Sequence, residues 1–364
     1  MQVGLVGRYG YYAEKHLVQS DDGYQLQIHR IPGSPGQPKR PGKKVIFLQH
    51  GMFASSATFV YGGPDRNFAY MLVDAGYDVW FGNARGNTYG RSHIELSPDN
   101  DEKFWDFSFH EIAVFDVAAE VDYVLNSTKK SSLIYIGHSM GTAISLILLS
   151  VKPDYNSKIH LVINLAPVGN WKNFGSPMAF IRSSGIFLKA LLWRYGIKEL
   201  FPRSQATADF LNRTCRRSQR LREMCLYTLG FDQNISDIDP VMESFYHFPA
   251  GTSSRTFYHF HQNMLAGKLQ MYDYGTIGNL AHYGRLSPPV YNLQNIETPI
   301  VMIYSKGDKI AAPEDSTDLV GVLKNARAEC VTDDNFGHFD FIMTKNMRST
   351  LYDRIIEIIE EFSD

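Results

Sequence analysis

The sequence has no excess of charge of either sign. Its 36 basic and 38 acidic side chains give a net charge of −2, and no long run of like charges occurs. A nucleic-acid-binding surface or a polybasic membrane anchor is therefore not expected. The chain also lacks an uncharged apolar segment of the length that crosses a bilayer, so we expect no transmembrane segment.

The first eight residues lack the basic start and the long apolar core of a signal peptide. Two expectations stay open: a cytosolic protein, or a secreted or lysosomal protein whose leader has been removed. Three N-x-Ser/Thr sequons occur, and they favour secretion. They begin at Asn126, Asn212 and Asn234.

Cysteine is also scarce, with three residues in the chain. Cys215 and Cys225 are close enough in sequence to close a small disulfide loop, which would leave Cys330 as a buried thiol. The alternative is three reduced cysteines in a cytosolic enzyme, and the sequence does not separate the two.

Apolar residues are abundant by contrast, and at 44% of 364 residues they can form the core of one large domain, with or without an insertion. Short apolar runs alternate with segments of helical spacing, which predicts an α/β protein with a mostly parallel sheet and helices on both faces. The predicted strands are 16–18 and 24–31, which form a hairpin, then 45–48, 77–81, 133–136, 159–165, 299–304 and a run near 328–331.

This alternation stops after residue 169. Residues 170–295 are rich in helical and aromatic segments, and we predict that they form a helical cap inserted into an α/β core of residues 1–169 and 296–364. Within the cap, residues 178–193 combine large apolar side chains with Arg182 and Lys189. Ordinary core packing is one interpretation of this stretch, and a lid or acyl-chain contact at a lipid–water interface is the other.

The strongest chemical signal is Gly137-His138-Ser139-Met140-Gly141, which lies between an apolar β-favouring run and a helix-like run. Glycines two positions before and after Ser139 remove the β-carbons that would collide where the strand turns sharply into the helix. The turn holds the serine hydroxyl above the sheet edge, and the helix N-terminus directs free N–H groups towards whatever the serine attacks. This is the pattern of a nucleophile elbow, which predicts acyl-ester chemistry.

A serine nucleophile needs a base and a group that orients the base. Proteins with this elbow carry them in the order serine, acid, histidine. His338 lies in a loop after a late core strand, and Asp308 directly follows the strand that ends at Tyr304. We therefore predict the triad Ser139, Asp308 and His338. The rival acids are Asp333, Asp334 and Asp340, which lie too close to His338 in sequence to approach it easily from another loop.

An oxyanion hole requires two backbone N–H groups. We predict that of Met140, just after the nucleophile, and that of Met52, in the loop after the early strand 45–48. His50 lies in the same loop, and we expect it to have a structural role there rather than a catalytic one.

Several motifs resemble those of the acid lipases, the group of gastric and lysosomal acid lipases and their insect relatives. The similarity runs from about Tyr9 to the C-terminus and includes the cap. Its clearest segments are Leu48-Gln49-His50-Gly51, Gly82-Asn83-Ala84-Arg85-Gly86-Asn87-Thr88, Gly137-His138-Ser139-Met140-Gly141-Thr142, Leu165-Ala166-Pro167-Val168, Pro249-Ala250-Gly251-Thr252-Ser253 and His338-Phe339-Asp340-Phe341-Ile342.

The resemblance implies an α/β-hydrolase fold, a secreted or lysosomal location and action on triacylglycerols, sterol esters or similar neutral lipids. It places the triad on Ser139, Asp308 and His338, with oxyanion donors at Met52 and Met140. Two features depart from the family pattern: Met140 stands where glutamine is common, and the cap cysteines do not align with the usual positions.

The sequence thus predicts a serine ester hydrolase of lipids that needs no metal or cofactor. Two alternatives stay open. An acyltransferase would use the same triad with an alcohol in place of water, and a lipid-binding or storage protein would use the fold without catalysis.

Overall fold

The computed structural model describes residues 3–173, 176–228 and 239–362, and its centre is an eight-stranded sheet. The strands are β1 (Glu14–Gln19), β2 (Gln25–Ile31), β3 (Val45–Gln49), β4 (Asp78–Phe81), β5 (Leu133–His138), β6 (Ile159–Leu165), β7 (Glu199–Leu200), β8 (Thr252–Ser253), β9 (Ile300–Tyr304) and β10 (Ala326–Cys330). In the large sheet the order is β1-β2-β4-β3-β5-β6-β9-β10. β2 pairs antiparallel with β1 and β4, whereas all other neighbours in this sheet are parallel. The predicted mostly parallel sheet is confirmed.

The central strands β3, β4 and β5 are buried along their whole length. Helices cover both faces of a parallel sheet, so these strands are continuous apolar runs rather than alternating ones. β1 alternates between exposed and covered positions, and β10 is half-exposed throughout. This exposure is typical of edge strands. Each has only one neighbouring strand, and its other edge is open to solvent.

Thirteen α-helices lie in the described residues. They are α1 (Val3–Gly7), α2 (Phe68–Asp74), α3 (Phe109–Glu111), α4 (Ala118–Thr128), α5 (Met140–Val151), α6 (Ser176–Arg194), α7 (Gln205–Arg216), α8 (Gln219–Thr228), α9 (Asp239–Ser244), α10 (Ser254–Ala266), α11 (Gly275–Tyr283), α12 (Pro313–Val320) and α13 (Asp353–Glu361). In α5 every residue from Met140 to Ser150 is buried, because a helix that is apolar on all sides is stable only inside the core. No helix in the described part of the chain is both long and apolar enough to cross a membrane.

Six of these helices, α6 to α11, lie between β6 and β9. The same part of the chain contains β7 and β8, which pair antiparallel as a separate two-stranded sheet. No pattern in the sequence indicates these two strands, since two residues are too few to show a period. The division into a cap of 170–295 and a core stays a prediction.

The cysteines and sequons lie in different environments. Cys215 in α7 forms a disulfide with Cys225 in α8. Cys330 is half-exposed because β10 is an edge strand. The prediction that its thiol is buried was wrong. Asn126 is exposed on α4, whereas Asn212 is half-buried and accepts a hydrogen bond from Arg216 Nε at 2.8 Å. The third sequon, at Asn234, lies outside the described residues.

Candidate active site

Ser139 occupies the sharp turn between β5 and α5, with φ 53° and ψ −120°. Positive φ is unfavourable for a residue with a side chain, so the surrounding packing must hold it. A Cβ added at Gly137 would lie 2.7 Å from the backbone carbon of Gly141. One added at Gly141 would lie 2.5 Å from the carbonyl oxygen of Gln49 in β3. Both glycines are therefore required for the strand, the helix and the neighbouring strand to approach this closely.

The sheet brings three predicted residues to one edge. Ser139 follows β5, Asp308 follows β9, and His338 lies in the loop after β10. Because these strands run parallel, their carboxyl ends meet on the same side of the sheet, although 199 positions separate Ser139 from His338 in sequence.

A chain of hydrogen bonds joins the three side chains. His338 Nε2 lies 2.9 Å from Ser139 Oγ, and His338 Nδ1 lies 2.8 Å from Asp308 Oδ2. The other carboxylate oxygen, Oδ1, accepts the N–H groups of Ile310 and Ala311 at 2.8 and 2.9 Å. An ionised carboxylate accepts but cannot donate, so Nδ1 carries a proton and Nε2 offers its lone pair to the serine hydroxyl. Asp308 and His338 are buried, whereas Ser139 is partly open to solvent.

The rival acids contact other groups. Asp340 Oδ2 accepts the N–H of Gly337 at 2.6 Å, within the loop that carries His338. Asp333 accepts the N–H of Asn335, and Asp334 forms an exposed ion pair with Lys306. The carboxylate that is hydrogen-bonded to the imidazole of His338 is thus that of Asp308.

The predicted oxyanion donors flank Ser139. Met140 is the first residue of α5, so its N–H has no acceptor within the helix. Among the described residues, the N–H of Met52 makes no hydrogen bond to the protein. A Cβ at Gly51 would lie 2.9 Å from Ser139 Cβ, so the loop that carries Met52 packs directly on the serine. The assignment of these two groups as the hole stays a prediction.

His50 joins two loops beside the site. Its Nδ1–H donates to the Gly51 carbonyl at 2.8 Å, and its Nε2 accepts the N–H of Ala84 and the side-chain amide of Asn87, each at 3.1 Å. Burial lowers the pKa of His50 to about 4, so the ring is neutral near pH 7. These contacts agree with the expected structural role.

His138 is a site residue that the sequence reasoning missed. Its Nε2–H donates to the backbone carbonyl of His338 at 2.9 Å, and the two ring centroids are 5.0 Å apart. Burial, and next the proximity of His338, lower the pKa of His138 to about 3, so this ring is also neutral. The bond fixes the backbone of the loop that carries His338. The only sequence signal for such a role was the position of His138 directly before Ser139.

Across residues 3–173, 176–228 and 239–362, no group of three or more His, Cys, Asp or Glu side chains is placed to hold a metal ion. A cavity of about 380 Å³ beside the second half of α6 is lined by Trp105, Leu192, Arg255 and neighbouring residues, and includes none of Ser139, Asp308 and His338. The arrangement of Ser139, His338 and Asp308 can activate a hydroxyl for attack on an electrophilic carbonyl.

Two family models match the chain. One described as alpha/beta hydrolase fold covers residues 44–343, and one described as partial alpha/beta-hydrolase lipase region covers residues 4–63. Human Lipase member K is 34% identical over 367 residues, which cover 98% of this chain and 90% of that protein. Gastric triacylglycerol lipase of Rattus norvegicus is 34% identical, over 98% of this chain and 91% of its own. Lipase 3 of Drosophila melanogaster is 35% identical, over 97% and 91% respectively.

Solved structures share the architecture at much lower identity. A monoglyceride lipase from Saccharomyces cerevisiae is similar with a TM-score of 0.58 at 14% identity, over 96% of both chains. Naproxen esterase from Bacillus subtilis gives a TM-score of 0.55 at 13% identity, over 98% of this chain and 94% of its own. At such identities the likeness concerns the fold, and the fold class expected from the sequence is confirmed.

Proposed function

We propose that this chain hydrolyses neutral-lipid esters through Ser139, His338 and Asp308. The chain belongs to the acid lipase family of α/β-hydrolases and is thus a carboxylic ester hydrolase. The observation that carries this proposal is the continuous hydrogen-bonded chain from Asp308 through His338 to Ser139. Triacylglycerols and sterol esters are the proposed substrates, and the name of the gastric triacylglycerol lipase relative supports the first of these.

The proposed mechanism follows from the protonation states. As Ser139 Oγ attacks the ester carbonyl, its proton passes to His338 Nε2, and Asp308 stabilises the imidazolium that forms. The N–H groups of Met52 and Met140 bind the developing oxyanion. His338 then protonates the leaving alcohol, which departs and leaves an acyl group on Ser139. A water molecule then gives a proton to His338 as it attacks the acyl-enzyme. His338 returns this proton to Ser139 Oγ as the carboxylic acid leaves.

The proposal includes contact with a lipid–water interface through the outer face of α6. This face carries large apolar side chains, with Phe180 at 72%, Phe187 at 78% and Leu191 at 52% exposure. From Met178 to Lys198 the chain has four basic and no acidic residues. A helix with aromatic and aliphatic side chains on its open face and Lys or Arg beside them is typical of segments that lie in the headgroup region of a lipid surface.

A secreted or lysosomal location is part of the proposal. Asn126 supports it, because this sequon side chain is exposed near the end of α4, where a glycan has room. Peptide mass analysis of the protein from its native source should find a glycan at Asn126, and an unmodified asparagine there would remove this support.

The test of the proposed function is the variant Ser139→Ala, compared with Ser157→Ala, which changes an exposed serine just before β6, at the sheet edge opposite to that of Ser139. Ser139→Ala should keep the wild-type melting temperature and lose several orders of magnitude in kcat on p-nitrophenyl esters and on emulsified triacylglycerol. A fluorophosphonate probe should label the wild type and Ser157→Ala, and should not label Ser139→Ala. Undiminished labelling or turnover in Ser139→Ala would overturn the proposal.

A further inference from the structure

Phe53, the residue after Met52, has a left-handed backbone with φ 61°. This conformation is unfavourable for a residue with a side chain, so contacts outside the loop must maintain it. Its geometry determines where the preceding peptide group points, and that peptide group is next to the proposed oxyanion donor. Whatever holds Phe53 therefore also affects the N–H of Met52.

Two contacts hold Phe53, and both come from the predicted cap. The N–H of Ala250 donates to the carbonyl oxygen of Phe53 at 2.6 Å. The ring of Phe201 meets that of Phe53 edge to face, with centroids 5.1 Å apart and planes at 85°. Phe257 lies further off, with a centroid distance of 6.3 Å. Edge-to-face pairs at this separation are attractive beyond the apolar area that they cover.

The two holding residues belong to one small unit. Phe201 directly follows β7, and Ala250 lies just before β8, the strand with which β7 pairs. This unit is itself fixed to the core: Glu199 in β7 accepts two hydrogen bonds from Arg91, both at 3.0 Å, and the carbonyl of Ala250 accepts the N–H of Thr88 at 2.8 Å. The β7–β8 unit thus presents a ring and a backbone donor to Phe53 from a fixed position.

Phe201 is also unusual in itself. It has φ 50°, and 58% of its surface is exposed, although it is a large apolar side chain. Burial of apolar area is therefore a weak reason for this conformation, and the contact with the ring of Phe53 is a further one.

We infer that Phe201 is a positioning residue for the oxyanion loop, and that it acts through Phe53 on the N–H of Met52. The inference rests on the proposed function, since it gives Met52 a role in binding the oxyanion. It links the β7–β8 unit to the reaction: displacement of this unit would weaken stabilisation of the transition state without altering the hydrogen bonds among Ser139, His338 and Asp308.

The test compares Phe201→Ala and Phe201→Tyr with Phe210→Ala, a matched control that removes another exposed aromatic side chain, 66% exposed on α7. Activity is measured on a soluble p-nitrophenyl butyrate solution and divided by the active sites counted by fluorophosphonate titration. In Phe201→Ala we expect kcat to fall about tenfold. This is less than the roughly 10²–10³-fold loss in kcat that follows deletion of an oxyanion donor, because the Met52 N–H would be displaced and not removed. KM and the pKa values of the pH–rate profile should stay unchanged, and Phe201→Tyr should restore kcat.

A second measurement separates positioning from simple loss of stability. A trifluoromethyl ketone forms a tetrahedral adduct whose oxyanion occupies the hole, so its inhibition constant should rise in Phe201→Ala by the same factor as kcat falls. If kcat per titrated site and this constant match those of Phe210→Ala while Ser139→Ala is inactive, the role of Phe201 is wrong and the proposed function stands. If Ser139→Ala remains active, the proposed function itself fails.

Discussion

At the scale of single residues, two buried carboxylates near His338 have separate contacts and hence separate expected effects. Asp308 accepts two N–H groups through Oδ1 and faces His338 through Oδ2. In Asp308→Asn the two N–H donors would keep the amide oxygen on their side. The amide NH₂ would then face Nδ1 of His338, which would have to accept, so the proton would move to Nε2.

We therefore predict that Asp308→Asn lowers kcat by about 10³–10⁴ with little change in KM, because this tautomer cannot take the proton of Ser139. Asp340→Asn is the matched control, since Asp340 accepts the N–H of Gly337 inside the histidine loop. It should lower the melting temperature and leave kcat per folded molecule nearly unchanged. Steady-state kinetics and thermal unfolding of both variants measure these effects. A loss of kcat in Asp340→Asn without unfolding, together with a near-normal kcat in Asp308→Asn, would assign the orienting role to Asp340.

At the scale of secondary-structure elements, α6 combines a fixed inner side with an open outer side. On the inner side, His261 of α10 donates through Nε2–H to the carbonyl of Arg182 at 3.0 Å. A Cβ at Gly185 would lie 2.2 Å from the ring of His261, so the two helices meet there without space for a side chain. On the outer side, the exposure of Phe180 and Phe187, two turns apart on the same face, excludes ordinary core packing as the reason for these two side chains.

We predict that the double variant Phe180→Ser, Phe187→Ser loses more activity on emulsified triacylglycerol than on soluble p-nitrophenyl butyrate. The reason is that these side chains would insert into the lipid surface, while the hydrogen bonds around Ser139 are unaffected. Ile277→Ser, Leu286→Ser is the control, since these apolar side chains are 86% and 65% exposed in and just after α11. Equal losses on the two substrates, or equal losses in both double variants, would contradict a special role for α6.

At the scale of the whole molecule, several buried histidines are kept neutral. Burial lowers the pKa of His50 to about 4, and that of His138 and of His259 to about 3, from the usual 6.5. In the unfolded chain these rings would titrate near 6.5. Between that pH and their folded pKa values the unfolded state binds more protons, so the free energy of unfolding must fall as the pH falls. Their contribution is complete above about pH 6.5.

The prediction is that His50→Gln makes the pH dependence of stability shallower between about pH 6.5 and pH 4. One buried histidine contributes a slope of about 1.4 kcal/mol per pH unit in this window. Urea unfolding of the wild type and the variant at several pH values measures it. Equal slopes in the two proteins would mean that His50 is charged in the folded state, contrary to its acceptor role towards Ala84 and Asn87.

The sequence by itself determined the local elements and the chemical type of the site. The strands of the eight-stranded sheet were predicted to within one or two residues, because apolar β-favouring runs between turn residues are signals contained in a few neighbouring positions. Ser139 could be found in the same way, since the turn requires Gly137 and Gly141 beside it in the chain. Asp308 and His338 followed from their places after late strands of a parallel sheet, and their roles stay predictions.

Only the tertiary structure decided the contacts that cross between distant segments. His138 donates to the carbonyl of a residue 200 positions away, and Phe201 meets Phe53 across the boundary between the predicted cap and core. Cys330 is half-exposed because β10 ends the sheet. None of these facts has a local signal, since each depends on which strands become neighbours and which remain at an edge. That choice is made by burial and strand pairing over the whole chain, and the propensities of neighbouring residues do not contain it.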